Sequence, residues 1–117
     1  MSRTVLIVDD HAAFRARARA LLQDDGFDVV GEAGDGEAAV EAARRLRPQI
    51  VLLDVRLPGI DGFEVAERLA AGPEPPAVVL ISSRGASTYR QRLRGSPATG
   101  FIAKAELSGE CLSSLLG

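Results

Sequence analysis

The chain has 117 residues, of which 46% are apolar and 26% charged, a mixture typical of one folded domain over residues 1–117. Its 14 basic and 16 acidic side chains give a net charge of −2, so we expect no direct contact with DNA. No apolar run approaches the roughly 18 residues of a membrane span, and the one cysteine, Cys111, suits a reducing cytoplasm. These features exclude a secreted disulfide scaffold, a membrane protein and a disordered tail.

Short apolar runs alternate with amphipathic stretches five times along the chain. Apolar runs predict strands at 5–8, where β-branched residues dominate, and at 50–53, 78–81 and 100–103, while 28–33 has a weaker strand pattern. Strands that alternate with helices favour a parallel sheet with helices on both faces and right-handed crossovers. The predicted fold class is therefore α/β, a doubly wound five-stranded sheet.

A helix is predicted after each strand, because apolar residues recur at helical spacing in every amphipathic stretch. Gly26 ends the first helix, Asp35 caps the second and Pro48 stops it. The third helix follows the loop at 58–59, and Ser108 caps the last.

The fourth helix has the weakest pattern. Within 88–94 only Tyr89 and Leu93 are apolar at helical spacing, and arginines surround them. A glycine and a proline follow and break the pattern. We expect 84–97 to form the least stable part of the fold.

Polar side chains follow four of the five predicted strands. Asp9 and Asp10 come after the first, Asp54 after the third, Ser82 after the fourth and Lys104 after the fifth. Each alone also fits a structural role as a helix cap, turn former or loop hydroxyl. Because ligands of such folds bind beyond the carboxyl ends of the strands, their joint placement favours one site. Lys104 is also the only lysine, which indicates a need for a compact ammonium group.

This set of residues is suited to phosphoryl chemistry. Carboxylates that lie together repel one another unless a divalent cation joins them. Mg²⁺ (or Mn²⁺) prefers such oxygen ligands and leaves room for phosphate oxygens. A carboxylate beside that ion, with lysine and serine donors opposite, can attack a phosphoryl group. The predicted product is an aspartyl phosphate.

At these motifs the chain resembles the receiver domain of two-component response regulators, most closely those with a LuxR-type helix-turn-helix output. The resemblance covers essentially the whole chain. Its carriers are Val-Leu-Ile-Val-Asp-Asp-His at 5–11, Asp-Val-Arg-Leu-Pro-Gly-Ile-Asp-Gly at 54–62, Ile-Ser-Ser at 81–83 and Gly-Phe-Ile-Ala-Lys at 100–104. It implies the flavodoxin-like strand order 2-1-3-4-5.

The resemblance also implies a role for each residue around the metal. Asp54 matches the phosphoacceptor. Asp10 matches the residue that coordinates Mg²⁺ directly, Asp9 the one that holds it mostly through water, and the backbone carbonyl of Arg56 a further ligand.

A second group of residues matches the family's switch. Ser82 corresponds to the hydroxyl that reaches for the new phosphoryl group, and Lys104 to the lysine that pairs first with Asp54 and then with the phosphate. Phe101 matches the aromatic residue that moves inward on activation, although it also fits a plain core position.

The implied partners are a sensor histidine kinase as phosphodonor and a second copy of the domain. The readout surface is the fourth helix, fifth strand and fifth helix. The chain ends at Leu-Leu-Gly without an output domain, which fits either a stand-alone receiver or the front half of a transcription factor; we favour the latter. His11 fits an exposed residue in the first helical turn better than a metal ligand.

Some positions depart from the usual family pattern. Ala105 stands where many receivers have proline, so no cis peptide bond is predicted there. Arg56 and Arg84 occupy loop positions that tune dephosphorylation in the family, and Ser83 stands where a smaller residue is common.

Three other functions compete with this interpretation. A phosphotransferase of the haloacid-dehalogenase type needs Asp-x-Asp after the first strand, whereas the sequence there is Asp-Asp-His-Ala at 9–12. A flavin or nucleotide carrier needs a phosphate loop at that place, which Asp9 and Asp10 would repel. The third alternative is a receiver-like interaction module that is never phosphorylated.

Overall fold

The computed structural model describes residues 2–116 and contains a five-stranded parallel sheet. The strands are β1 (Thr4–Val8), β2 (Asp28–Ala33), β3 (Ile50–Asp54), β4 (Ala77–Ser82) and β5 (Gly100–Ala103). Their order across the sheet is β2-β1-β3-β4-β5. This confirms the predicted α/β class, the strand positions and the strand order.

Helices follow the strands as predicted. They are α1 (Ala12–Asp24), α2 (Gly36–Leu46), α3 (Gly62–Ala70), α4 (Arg90–Arg94) and α5 (Gly109–Leu116). A 3₁₀ turn, Ala86–Tyr89, runs directly into α4, and we call the two together the α4 segment. A second 3₁₀ turn, Lys104–Glu106, precedes α5. Over residues 2–116, no helix has the length and hydropathy to cross a bilayer.

The sheet is buried on both faces. Neighbouring residues of a strand point to opposite faces, and in β1 Leu6 and Val8 join the apolar layer under α2 and α3. Val5 and Ile7 join the other layer, under α1 and α5. Burial on both sides explains why β1, β3 and β4 are nearly continuous apolar runs, whereas the edge strand β2 includes Asp28 and Glu32.

Side-chain caps start three of the helices. Asp35 accepts a hydrogen bond from the Ala38 amide at 2.7 Å, as its predicted role requires. Ser108 accepts one from the Cys111 amide at 3.0 Å, which confirms the second predicted cap. Asp61 caps α3 in the same way through the Glu64 amide, which holds the loop after β3 against the sheet edge.

The strand order places a topological switch point between β1 and β3. The chain leaves β1 toward β2 on one side and returns to β3 on the other. In open α/β sheets, the carboxyl ends of the strands beside such a point form the usual crevice for ligands. The ends of β1 and β3 are therefore the expected place for a ligand site.

Candidate functional site

The predicted site residues meet at the carboxyl edge of the sheet. Asp9 follows β1 and is fully buried, Asp54 ends β3 with 4% exposure, and Ser82 ends β4 with 1%. Lys104 directly follows β5. Asp10 is exposed beside Asp9. These side chains, predicted to share a crevice because each ends a strand, are therefore neighbours in the fold.

Lys104 joins the two buried carboxylates. Its Nζ donates a hydrogen bond to Asp54 Oδ2 at 3.2 Å and lies 2.5 Å from Asp9 Oδ2. The ammonium group also lies 4.5 Å from the centre of the Phe14 ring, within the range of a cation–π contact. Lys104 thus brings one positive charge to a pair of negative ones, while the ring of Phe14 covers it.

The surroundings shift the ionisation of all three groups. Burial raises the pKa of Asp54, and the negative charge of Asp9 adds to this. Burial also opposes ionisation of Asp9, but Lys104 and the His11 amide outweigh it and hold the pKa of Asp9 below its usual value. For Lys104, burial acts against the charge, yet the two carboxylates outweigh it and raise its pKa.

The acidic cluster has the chemistry of a divalent-cation site. Asp9, Asp10, His11 and Asp54 each offer a ligand atom, and these atoms lie within 4.8 Å of one another. Asp9 Oδ2 is buried and, among the described residues, receives no well-directed hydrogen bond, although Lys104 Nζ is close. Carboxylate oxygens in this number suit a hard cation such as Mg²⁺. The residues therefore fit the ion that the resemblance implies.

His11 lies at the mouth of this cluster, just before α1. Its side chain is 69% exposed, and its Nδ1 is 3.2 Å from Asp9 Oδ1 and 3.1 Å from Asp10 Oδ1. Its backbone N–H donates to Asp9 Oδ1 at 2.8 Å. His11 thus occupies the exposed position at the start of the first helix that the sequence analysis predicts.

The loop after β3 holds Asp54 from its other side. The Arg56 backbone N–H donates to Asp54 Oδ1 at 3.2 Å. The Gly62 N–H donates to the Val55 carbonyl at 2.8 Å, so the start of α3 lies against the end of β3. A Cβ atom at Gly62 would collide with the backbone carbonyl oxygen of Asp54, which explains the glycine at this position.

Ser82 makes contacts that the sequence did not indicate. Its Oγ accepts a hydrogen bond from the Arg84 amide at 3.0 Å and donates one to the Tyr89 hydroxyl at 3.3 Å. The Tyr89 ring lies between Phe63 and Phe101, with centroid distances of 5.9 and 6.3 Å. The sequence pattern places Tyr89 only at an apolar position of the fourth helix, yet a half-buried tyrosine hydroxyl usually has a partner.

An open cleft of about 610 Å³ adjoins the carboxylates. Its lining includes Asp10 and three arginines, Arg56, Arg84 and Arg92. Guanidinium groups around a cleft attract anionic ligands.

Two positions that depart from the usual family pattern can be located in the structure. Ser83 directly follows β4 and is exposed. The Lys104–Ala105 peptide bond is trans, as are the others in the described residues.

Together these groups can support a displacement at phosphorus. A buried carboxylate can act as the nucleophile, an ammonium group faces it, and neighbouring carboxylates can hold a cation. Such an arrangement provides the positioning and charge neutralisation on which phosphoryl transfer depends.

Comparison with known proteins supports the same chemistry. Residues 5–115 match the family model of the response regulator receiver domain. The response regulator GacA of Pseudomonas viridiflava is 35% identical over 112 residues, which cover 95% of this chain and 52% of GacA. The chain thus spans about half the length of the curated relatives that it matches.

Solved structures agree with the fold. The signal receiver domain of NarL from Mycobacterium tuberculosis has a TM-score of 0.83 and 37% identity, covering 98% of this chain and 94% of that one. A chain of the CheX–CheY–BeF₃–Mg²⁺ complex from Borrelia burgdorferi matches with a TM-score of 0.84 and a lower identity of 26%, over 97% of this chain and 86% of that one.

Proposed function

Because the chain belongs to the family of response regulator receiver domains, we propose that it is a phosphoacceptor switch in which Asp54 receives the phosphoryl group. The observation that carries this proposal is the buried Asp54 carboxylate, hydrogen-bonded to Lys104 beside Asp9 at the carboxyl edge of the sheet. Proteins of this family are signalling switches, so the modification acts as a signal.

The phosphoryl group comes from a phosphohistidine of a sensor histidine kinase. An Asp54 carboxylate oxygen attacks phosphorus, and the new P–O bond forms as the P–N bond of the donor breaks. The leaving imidazole nitrogen keeps the electron pair and takes up a proton. The arginine-lined cleft beside Asp10 favours approach of the anionic donor.

Asp9, Asp10, Asp54 and the backbone carbonyl of Arg56 would hold Mg²⁺ (or Mn²⁺). When bound, the ion neutralises charge on the phosphoryl oxygens and orients them. The acidic cluster of the chain supports this assignment, as does the Mg²⁺ named with CheY in the complex from B. burgdorferi.

Lys104 and Ser82 act on the phosphorylated form. The Lys104 ammonium group already touches Asp54, so a small movement allows it to pair with a phosphoryl oxygen. Ser82 turns its hydroxyl toward the same group, and Phe101 follows by moving inward. The surface of α4, β5 and α5 then changes its affinity for a partner, because only a difference in affinity between two states transmits a signal.

We further propose that residues 1–117 form one receiver domain that acts in the cytoplasm. GacA, matched over half its length, is about twice as long as this chain, which supports a role beside an output domain. The Asp-Asp-His motif at 9–11 resembles receivers whose output domain is a DNA-binding domain of the LuxR type. In that arrangement the receiver itself makes no contact with DNA, and pairing of two receivers is the expected output step.

The test is the intact mass of the chain after incubation with acetyl phosphate, with and without Mg²⁺. We expect one added phosphoryl group that requires Mg²⁺ and is lost in Asp54→Asn. Asp61→Asn, which changes the partly exposed carboxylate that caps α3 in the same motif, is the matched control and retains the adduct.

Two results would contradict the proposal. An adduct that survives in Asp54→Asn means that another carboxylate is the acceptor. No adduct on folded protein under any condition favours an interaction module that is never phosphorylated.

A further inference from the structure

Tyr89 connects the switch serine to the α4 segment. It is the only tyrosine of the chain and the last residue of the 3₁₀ turn before α4. Its hydroxyl accepts the hydrogen bond that Ser82 Oγ donates, at 3.3 Å. Tyr89, a residue of the α4 segment, is therefore hydrogen-bonded to the Ser82 hydroxyl, which must reach the phosphoryl group in the proposed switch.

The same side chain helps to anchor the α4 segment. None of the residues of this segment is buried, but Tyr89 and Leu93 are half-buried and pack against the apolar layer under α2 and α3. The Tyr89 ring lies near Phe63 of α3 on one side and Phe101 of β5 on the other. A change at the Tyr89 hydroxyl thus acts on one of the few contacts that fix the segment.

We propose that Tyr89 is a positioning residue that holds the Ser82 hydroxyl in the unphosphorylated state, so that capture of the phosphoryl group by Ser82 releases the α4 segment. This inference rests on the proposed function, because it requires phosphorylation of Asp54. It assigns to Tyr89, a residue outside the matched motifs, the coupling between the site and the segment.

The two donations of the serine hydroxyl are exclusive. It has a single proton, so Ser82 can donate to Tyr89 or to a phosphoryl oxygen but not to both. Turning Ser82 Oγ toward Asp54 also lengthens a contact with Tyr89 that is already 3.3 Å. The contact with Tyr89 is long for two hydroxyl groups and therefore weak. A charged phosphoryl oxygen is the stronger acceptor, so the exchange is favourable once Asp54 carries phosphate.

The decisive variant is Tyr89→Phe, which keeps the ring contacts with Phe63 and Phe101 and removes only the acceptor hydroxyl. We expect the concentration of beryllofluoride that half-saturates the Mg²⁺-loaded protein, followed by NMR, to fall about two- to five-fold. This corresponds to the lower range for one neutral hydrogen bond. Thr88→Ala removes an exposed hydroxyl from the same turn and leaves the value unchanged.

A double-mutant cycle separates positioning from a general effect on the fold. In the Ser82→Ala background, Tyr89→Phe produces no further change, because the donor is already absent. The single tyrosine provides an independent signal, since the chain has no tryptophan. Near-ultraviolet absorbance of Tyr89 changes when beryllofluoride binds to the wild type and stays constant in Ser82→Ala.

The outcomes distinguish this inference from the function on which it rests. If the wild type binds beryllofluoride but Tyr89→Phe matches it and the tyrosine signal is constant, the role of Tyr89 is wrong and the proposed function stands. If Tyr89→Phe weakens binding equally in both backgrounds, the hydroxyl serves only the fold and the inference is overturned. If the wild type neither binds beryllofluoride nor accepts phosphate, both proposals fail.

Discussion

The helix α3 and the α4 segment cover the same face of the sheet but differ in burial and in helix capping. In α3 five residues are buried, and Asp61 caps the helix with its side chain. In the α4 segment no residue is buried, and neither the 3₁₀ turn nor α4 has a side-chain cap. Two neighbouring elements with the same partner layer therefore differ greatly in how firmly they are held.

This difference distinguishes α3, which fixes the position of a site residue, from the α4 segment, which is packed weakly enough to move. The start of α3 contacts the end of β3 and fixes the position of Asp54. The α4 segment contacts Ser82 through Tyr89 and rests on few apolar contacts. Elements that move in regulation come from the less stable parts of a structure, because a small free energy must be enough to displace them.

Amide hydrogen exchange gives the largest contrast. We expect protection in the α4 segment to be at least about 100-fold lower than in α3, since local opening there exposes little apolar surface. The measurement is exchange of residues 62–70 against 86–94 by NMR or mass spectrometry. Uniform protection of the two would show that the α4 segment is as stable as α3 and would remove the basis of the comparison.

The same substitution at two glycines sharpens the contrast. In Gly62→Ala the new methyl group meets the Asp54 carbonyl, and we expect a loss of about 2–3 kcal/mol of unfolding free energy. In Gly95→Ala, just after α4, the nearest atom is the Arg92 carbonyl oxygen at 4.0 Å. That change is neutral or stabilises by up to about 1 kcal/mol, because alanine restricts the unfolded chain.

Urea unfolding of both variants, with the wild type as reference, provides the measurement. Equal losses at the two positions would mean that the end of α4 is packed as tightly as the start of α3. A neutral Gly62→Ala would mean that β3 and α3 adapt easily at this point.

The sequence predicted the three central strands of the sheet well because they are buried on both faces. Each of β1, β3 and β4 is a short apolar run that leads into a polar residue, which favours a strand at such a length. The edge strand β2 contains Asp28, Gly31 and Glu32 and follows this pattern only weakly. The fourth helix was predicted over 88–94, whereas the structure begins with a 3₁₀ turn at Ala86 and forms α4 only from Arg90. With two apolar residues in the pattern, local sequence could not determine where this segment begins.

The members of the site could be predicted for a similar reason, because the end of a strand determines the edge at which a side chain lies. The partners of those side chains could not. Phe14 lies over Lys104 across 90 positions of sequence, and Ser82 donates to Tyr89 rather than to Asp54. These contacts depend on how helices settle on the sheet, which apolar spacing does not specify. The roles of the site residues remain predictions that the phosphorylation experiment tests.

The smallest expected effect concerns the ion pair that ties α3 to the α4 segment. Arg92 donates a hydrogen bond to Asp61 Oδ2 at 2.8 Å, and both side chains are partly exposed, by 55% and 37%. Asp61→Asn keeps a good helix cap and removes the charge. We expect a loss of about 0.5 kcal/mol at neutral pH, typical of an exposed pair, and a smaller loss at high salt.

The pH dependence of this loss has a defined sign. Burial acts against ionisation of Asp61, but Arg92 and the Glu64 amide outweigh it and lower the pKa of Asp61 below its ordinary 3.8. The stabilisation is therefore complete above about pH 4 and is lost as the pH falls through the lowered pKa. The measurement is the difference in unfolding free energy between wild type and Asp61→Asn at pH 7 and near pH 3, with Arg92→Gln completing a double-mutant cycle. A difference that stays constant over this range, or a cycle without coupling, would mean that the ion pair does not connect the two elements and that the α4 segment is held by its aromatic contacts alone.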